Sequence, residues 1–133
     1  MRKIFLATLI VATVSGGAFA LPQDSSVSQE TSSIPNRGRA PQGQDGIGVV
    51  DARVVDANGN PVPGADVRIE SRRINGNFCE SWHTTNAQGV AVMAPLHIGR
   101  LTMIVRAPGF RTQRIQVPSF SLGEPVRVTL ARR

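Results

Sequence analysis

The chain has 133 residues, a formal net charge of +6 and a single cysteine, Cys79. That length suits one domain with extra segments, and a lone cysteine excludes an intrachain disulfide. The positive balance favours acidic polymers, glycans or membrane surfaces, or serves solubility alone, because a basic surface carries no specificity by itself.

Residues 1–20 read as an export signal. Arg2 and Lys3 give a positive start, Ile4 to Val14 is apolar, and Ala18-Phe19-Ala20 is a small-x-small cleavage pattern, so a secretory signal peptide cut after Ala20 is expected. The apolar run is shorter than the ~18 residues of a spanning helix, so no membrane span is expected once the signal is removed. No cysteine stands at the cleavage point to take a lipid anchor. The expected destination is a bacterial cell envelope, either periplasmic or secreted. Loss of Arg2 and Lys3 takes the formal charge from +6 to +4 and leaves arginine as the only base, against nine acids. Residues 21–46 are rich in Ser, Gln, Pro and Gly without apolar periodicity, and are expected to form a disordered linker.

The domain is expected over residues 47–133. Val50, Ala52 and Val54 alternate with Asp51, Arg53 and Val55, and Ala65, Val67 and Ile69 with Asp66, Arg68 and Glu70. A period of two marks strands with one face in a core and the other in water. Asp56 to Pro61 supplies the turn between them, through Gly59, two Asn residues and a Pro. Asn75-Gly76 is a hairpin signal, followed by a short third strand near Ser81 to Thr85. Asn86 to Gly89 turns the chain into a fourth strand, Val90 to Met93, and His97 to Gly99 turns it again. Leu101 to Arg106, Arg111 to Val117 and Val126 to Leu130 complete seven strands, with Pro118 to Pro125 joining the last two. Seven short strands and no helical period after the signal predict an all-β, two-sheet antiparallel sandwich.

Candidate chemistry is sparse. In Asp56 to Asn60 the glycine comes fourth and Val67 stands twelfth, whereas a calcium loop needs glycine sixth and a bidentate Glu twelfth. His83 and His97 lie at no metal-ligand spacing with Cys79 or a carboxylate, so neither a metal nor another cofactor is expected. Cys79 lacks a His or Asp beside it in a nucleophile pattern, and a half-buried thiol near a loop is the expected role. Phe78 and Trp82 flank it. Trp82 has two readings: it covers one end of the core, or it offers a flat face for stacking on a sugar or a partner side chain. Arg68, Arg106, Arg114 and Arg127 are expected to face outward as a basic surface for an anionic glycan or lipopolysaccharide, with Asp51, Asp66 and Glu70 placed to neutralise them across strands.

The runs GVVDARVVDANGNPVPGADVRIE and TTNAQGVAVMAPLHIGRLTMIVRAPGFRTQRIQV resemble the carboxypeptidase regulatory-like domain family. Its pattern is met by Asp56, Gly59, Pro61, Gly64 and Ala65, then Thr85 and Gly89, then Gly99, and last Ala107, Gly109 and Phe110. Asn86 stands where that pattern often has an acid, and Asn77 to Ser81 fits no part of it. The resemblance implies a prealbumin-like, Ig-like seven-stranded sandwich, a non-catalytic accessory or binding role, and no active site. Among prealbumin-like proteins the hydroxyisourate hydrolases end in Tyr-Arg-Gly-Ser; this chain has no Tyr and ends Leu130-Ala131-Arg132-Arg133. The Lys–Asn isopeptide crosslink of related surface adhesins is also excluded, since the only Lys is Lys3. The expected function is an exported, non-enzymatic module that binds a protein or glycan of the cell envelope, with no nucleic-acid partner. The alternative is a structural subunit that pairs through its edge strands in a larger assembly.

Overall fold

The computed structural model describes residues 34–133, so the expected signal peptide and residues 21–33 of the expected linker lie outside the described residues. Among the described residues, nine strands and one 3-10 turn form in chain order. They are β1 (Ile47–Gly48), β2 (Asp51–Asp56), β3 (Asp66–Arg72), β4 (Phe78–Thr84), β5 (Val90–Val92), β6 (Leu96–His97), β7 (Arg100–Arg106), β8 (Gln113–Val117), the 3-10 turn (Ser119–Gly123) and β9 (Val126–Leu130). One sheet has the order β4-β3-β7-β8 and the other β5-β2-β9, with β1 and β6 as a small two-stranded pair. The seven expected strands are all present. The additional two are the short β1 and β6, whose two residues each are too few to show a period.

The four-stranded sheet is antiparallel throughout, whereas β2 and β9 run parallel, with Val54 beside Val128. This is the one departure from an antiparallel sandwich among the named strands. The 3-10 turn supplies the reason: it ends the connection that leaves β8 in one sheet and delivers β9 alongside β2 in the other. Its Leu122 is fully buried and joins the core.

The core lies between the sheets and follows the alternation in the sequence. Val67 and Ile69 of β3 and Leu101, Met103 and Val105 of β7 meet Ala52 and Val54 of β2 and Val128 and Leu130 of β9. The buried hydroxyls of Thr85 and Ser71 are both satisfied. Thr85 Oγ1 accepts from the Ala65 N–H at 2.8 Å and donates to the Val62 carbonyl at 2.7 Å. Ser71 Oγ donates to the His97 carbonyl at 2.7 Å and accepts from the Gly99 N–H at 2.8 Å. Gly89, at φ 73°, sits where a Cβ would strike the Val54 carbonyl, so this turn tolerates glycine alone.

β2 overturns one sequence expectation. The alternation puts Asp51 and Arg53 on its water-facing side, yet they are only 1% and 3% exposed. The covering segment is residues 34–40, which the composition of residues 21–46 assigns to a disordered linker. Arg53 Nη2 donates to the carbonyls of Ile34 at 3.0 Å and Pro35 at 3.3 Å. Asp51 Oδ2 accepts from the Arg37 N–H at 3.0 Å and from Arg53 Nη2 at 3.2 Å, and Oδ1 accepts from Arg53 Nε at 3.3 Å. Arg39 and Val49 exchange backbone hydrogen bonds of 2.9 Å in each direction. The Asn36 side chain donates to the Gly123 carbonyl, and Gly38 passes so close to the Leu122 carbonyl that a Cβ there would collide with it. The ordered unit therefore extends before Ile47, and residues 34–40 form a strap across the outer face of β2.

A carboxylate and a guanidinium removed from water are stable together only when most of their hydrogen-bonding positions are filled, and removing one partner strands the other. Arg53→Met should therefore lower the unfolding free energy by about 3 to 5 kcal/mol in denaturant titration, and Asp51→Asn combined with Arg53→Met should be less destabilised than Arg53→Met alone. A chain beginning at Pro41 would lose the strap. It should melt lower by several degrees, on the scale of about 4 to 8 °C for each kcal/mol in a domain of this size.

Candidate interaction surface

The outward face of the β4-β3-β7-β8 sheet carries the most distinctive side chains. Pairing register lays them out in rows across the strands. Trp82, Arg68, Ile104 and Arg114 form one row, and Glu80, Glu70, Thr102 and Gln116 the next. A third row has Thr84, Asp66 and Arg106, and a fourth, at the other end, has Phe78, Arg72 and Arg100.

Glu70 and Glu80 stand directly opposite each other across β3 and β4, an arrangement that repels unless cations intervene. Arg68 supplies them: its Nε lies 3.5 Å from Glu70 Oε1, and its Nη2 donates to Glu80. Arg114 Nη2 reaches Glu70 Oε2 from the other side at 3.4 Å. Such half-exposed pairs contribute about 0 to 1 kcal/mol each, so their main effect is to fix the arginines in place. Ile104 is buried although its side chain is on the outward face. In register it lies between Arg68 and Arg114, whose long side chains share its face.

Trp82 is 66% exposed, so it does not cover an end of the core. Phe78 is on the same side of β4, two rows along, and half-exposed. The structure thus brings Trp82, Phe78, Arg68, Arg106 and Arg114 onto one face. It does not bring Arg127 there: Arg127 is on β9, in the other sheet, beside Arg53 in register. Of the expected neutralising acids, Glu70 is paired with Arg68 and Arg114, Asp66 adjoins Arg106 in register, and Asp51 is buried under the strap.

The remaining candidates are placed as follows. Cys79 is half-buried against the core on the inward side of β4, with Ser71 opposite. His83 is exposed on β4, and His97 Nδ1 is 3.0 Å from the Asp45 carbonyl. Among the described residues no three His, Cys, Asp or Glu side chains gather as a metal site would require. The Asp56 carboxylate is engaged by its own turn, accepting from the N–H groups of Asn58 and Asn60 at 2.9 Å each. Also among the described residues, no helix is long and apolar enough to cross a membrane.

A family model for the carboxypeptidase regulatory-like domain matches residues 49–132. The chain belongs to that family. A search of curated proteins finds no match. The carboxypeptidase regulatory-like match accounts for the shared turn residues: Gly59, Gly64, Gly89 and Gly109 all have positive φ, and Thr85 and Ala107 are buried. It begins after the strap, so residues 34–48 lie outside the match.

Sequence reasoning missed a second group, Arg72, Arg73, Ile74, Arg100 and Phe120, at the end of the sandwich beyond Phe78. The Arg72-Arg73-Ile74 run beside an Asn-Gly turn was the available signal. Its connection to Phe120, nearly fifty residues later, required the fold.

Trp82 is the only tryptophan, so intrinsic fluorescence reports on this face alone. Its emission should be that of a water-exposed indole and be readily quenched by acrylamide. Trp82→Ala should change the unfolding free energy by less than about 0.5 kcal/mol, as exposed substitutions do.

Proposed function

We propose that this carboxypeptidase regulatory-like domain is an exported, non-catalytic module that binds a protein of the cell envelope through the outward face centred on Trp82. The observation that carries this reading is the exposure of Trp82 beside arginines already held by Glu70 and Glu80. Trp and Arg are the residue types that dominate binding energy at protein interfaces, and pre-ordered arginines lose less freedom on docking. Mixed charge around the indole favours a protein over an anionic glycan, which would meet Glu70 and Glu80 as well as the arginines. Export rests on residues 1–20, whose charged start, apolar run and Ala18-Phe19-Ala20 are those of a signal peptide. The absence of an enzymatic role rests on the family, whose domains are regulatory-like rather than catalytic.

Assembly through edge strands is the second reading, and β4 favours it. It is a seven-residue strand at an edge of its sheet, and such edges are open to pairing with another chain. Light scattering of the purified protein separates the two readings, since a stable monomer counts against constitutive assembly.

The decisive measurement is capture from an envelope fraction, with Trp82→Ala as the control. Binding should fall at least tenfold in Trp82→Ala, a typical loss for an aromatic anchor, and disappear when the fraction is treated with protease. Binding that survives protease but not glycosidase would transfer the reading to a glycan. Capture unaffected by Trp82→Ala would remove this face from the function.

A further inference from the structure

The end of the sandwich built by the β3–β4 turn, the β6–β7 turn and the 3-10 turn has a surface of another kind. Register sets Phe78, Arg72 and Arg100 side by side across three strands. Ile74, in the β3–β4 turn, is 75% exposed, and Phe120, on the 3-10 turn, is 84% exposed. A cleft of about 470 Å³ is lined by Asp45, Arg72, Arg73, Ile74, Gly99 and Arg100. A second depression shares Gly99, Arg100 and Ser119 with it and reaches Phe120, so Arg100 stands between the two apolar tips.

The charge here is one-sided. Asp45 is the only acid lining the cleft, and it lies 3.9 Å from Arg73 Nε, beyond hydrogen-bond distance. That Nε is buried and has no hydrogen-bond partner. Among the described residues neither Arg72 nor Arg100 has a carboxylate partner. The Arg72 guanidinium lies 5.9 Å from the centre of the Phe78 ring. This contrasts with the Trp82 row, where acids already occupy the arginines.

We propose that this end of the domain docks on a membrane surface bearing anionic headgroups. Phe120 and Ile74 enter the interfacial layer, and Arg72, Arg73 and Arg100 receive the phosphate groups behind them. Charge complementarity selects the occupant: three guanidiniums against one carboxylate, with Arg73 ion-paired to Asp45 and the exposed Arg72 and Arg100 without a carboxylate partner among the described residues, form a site for phosphate oxygens. The distribution of the apolar groups selects a lipid layer over a protein. Ile74 and Phe120 sit on separate turns on either side of Arg100. A soft interface accommodates isolated tips one by one, whereas a protein would need a pocket cut for each. Interfacial binding of this kind draws on buried apolar area together with attraction to anionic lipid. Trp82 lies four residues along β4 from Phe78, about 13 Å at the usual strand rise, so the proposal does not depend on the Trp82 face.

The test is sedimentation with vesicles of phosphatidylcholine, with and without phosphatidylglycerol, using the protein as recovered from cells with its N-terminus determined. Binding should require phosphatidylglycerol and weaken as salt is raised. Arg72→Gln with Arg100→Gln should reduce it by about fivefold for each arginine, and Phe120→Ser by about tenfold. Both changes fall on exposed side chains, and circular dichroism with thermal melting checks that the fold is kept. Trp82→Ala should bind vesicles as the parent does, so failure here and failure of the Trp82 reading are separately visible. Equal binding to neutral vesicles, or binding indifferent to the arginine pair, would overturn the proposal. Full displacement by soluble glycerol phosphate would overturn it in favour of a small-anion site. Vesicles left unbound while the arginine substitutions abolish capture of a protein would overturn it in favour of a protein partner.

Discussion

The Asp51–Arg53 pair under the strap is the interaction on which the three-stranded sheet depends. That sheet has only three strands, and its outer face would otherwise present a carboxylate and a guanidinium from the central strand, β2, to water. Residues 34–40 remove both from solvent and replace the lost water with the Ile34 and Pro35 carbonyls and the Arg37 N–H. The desolvation cost of two buried ions is large and is offset only because several directed bonds are made at once. The arrangement is consequently specific as well as stabilising. A strap shifted by one residue would present the wrong backbone groups to β2, and Gly38 leaves no slack against Leu122.

The same strap ties the two ends of the domain together. Asn36 reaches the Gly123 carbonyl just before β9, and Arg39 pairs with Val49 just before β2. β9 is the strand that joins β2 in parallel, and the strap's bond at Gly123 braces the crossover that makes that pairing possible. Leu122 then closes the core beneath it. A small domain without disulfides gains much from such a clasp, because its core alone gives limited stability.

The four-stranded sheet takes a different course, with its outward charges left in solvent and balanced pairwise. Arg68 between Glu70 and Glu80 holds two like charges side by side and leaves the indole of Trp82 uncovered at the edge of the sheet. At the far end no such balance is struck, and Arg72, Arg73 and Arg100 face a cleft with Asp45 as its only acid. The two surfaces therefore differ in chemistry within one domain: an exposed indole beside ion-paired arginines, and arginines between exposed apolar tips. Both lie on secondary structure or tight turns of the sandwich, which holds them rigidly.

The sequence by itself determined the seven principal strands and their turns, because a half-buried strand writes its burial into alternate residues, as Val67, Ile69, Leu101, Met103 and Val105 show. It also determined that Arg68 of β3 and Arg106 of β7 face outward, whereas Trp82 kept two readings until the structure left it exposed beside them. Tertiary structure decided what alternation cannot encode. Asp51 and Arg53 obey the outward period yet are buried, because burial there comes from a distant strap that bonds through its backbone and shows no apolar pattern. Arg127 obeys it too, but on the other sheet, since sheet membership depends on pairing between strands far apart in the chain. The meeting of Ile74, Arg100 and Phe120 at one end likewise arises from three turns separated in sequence, and only the closed sandwich brings them within reach of a single partner.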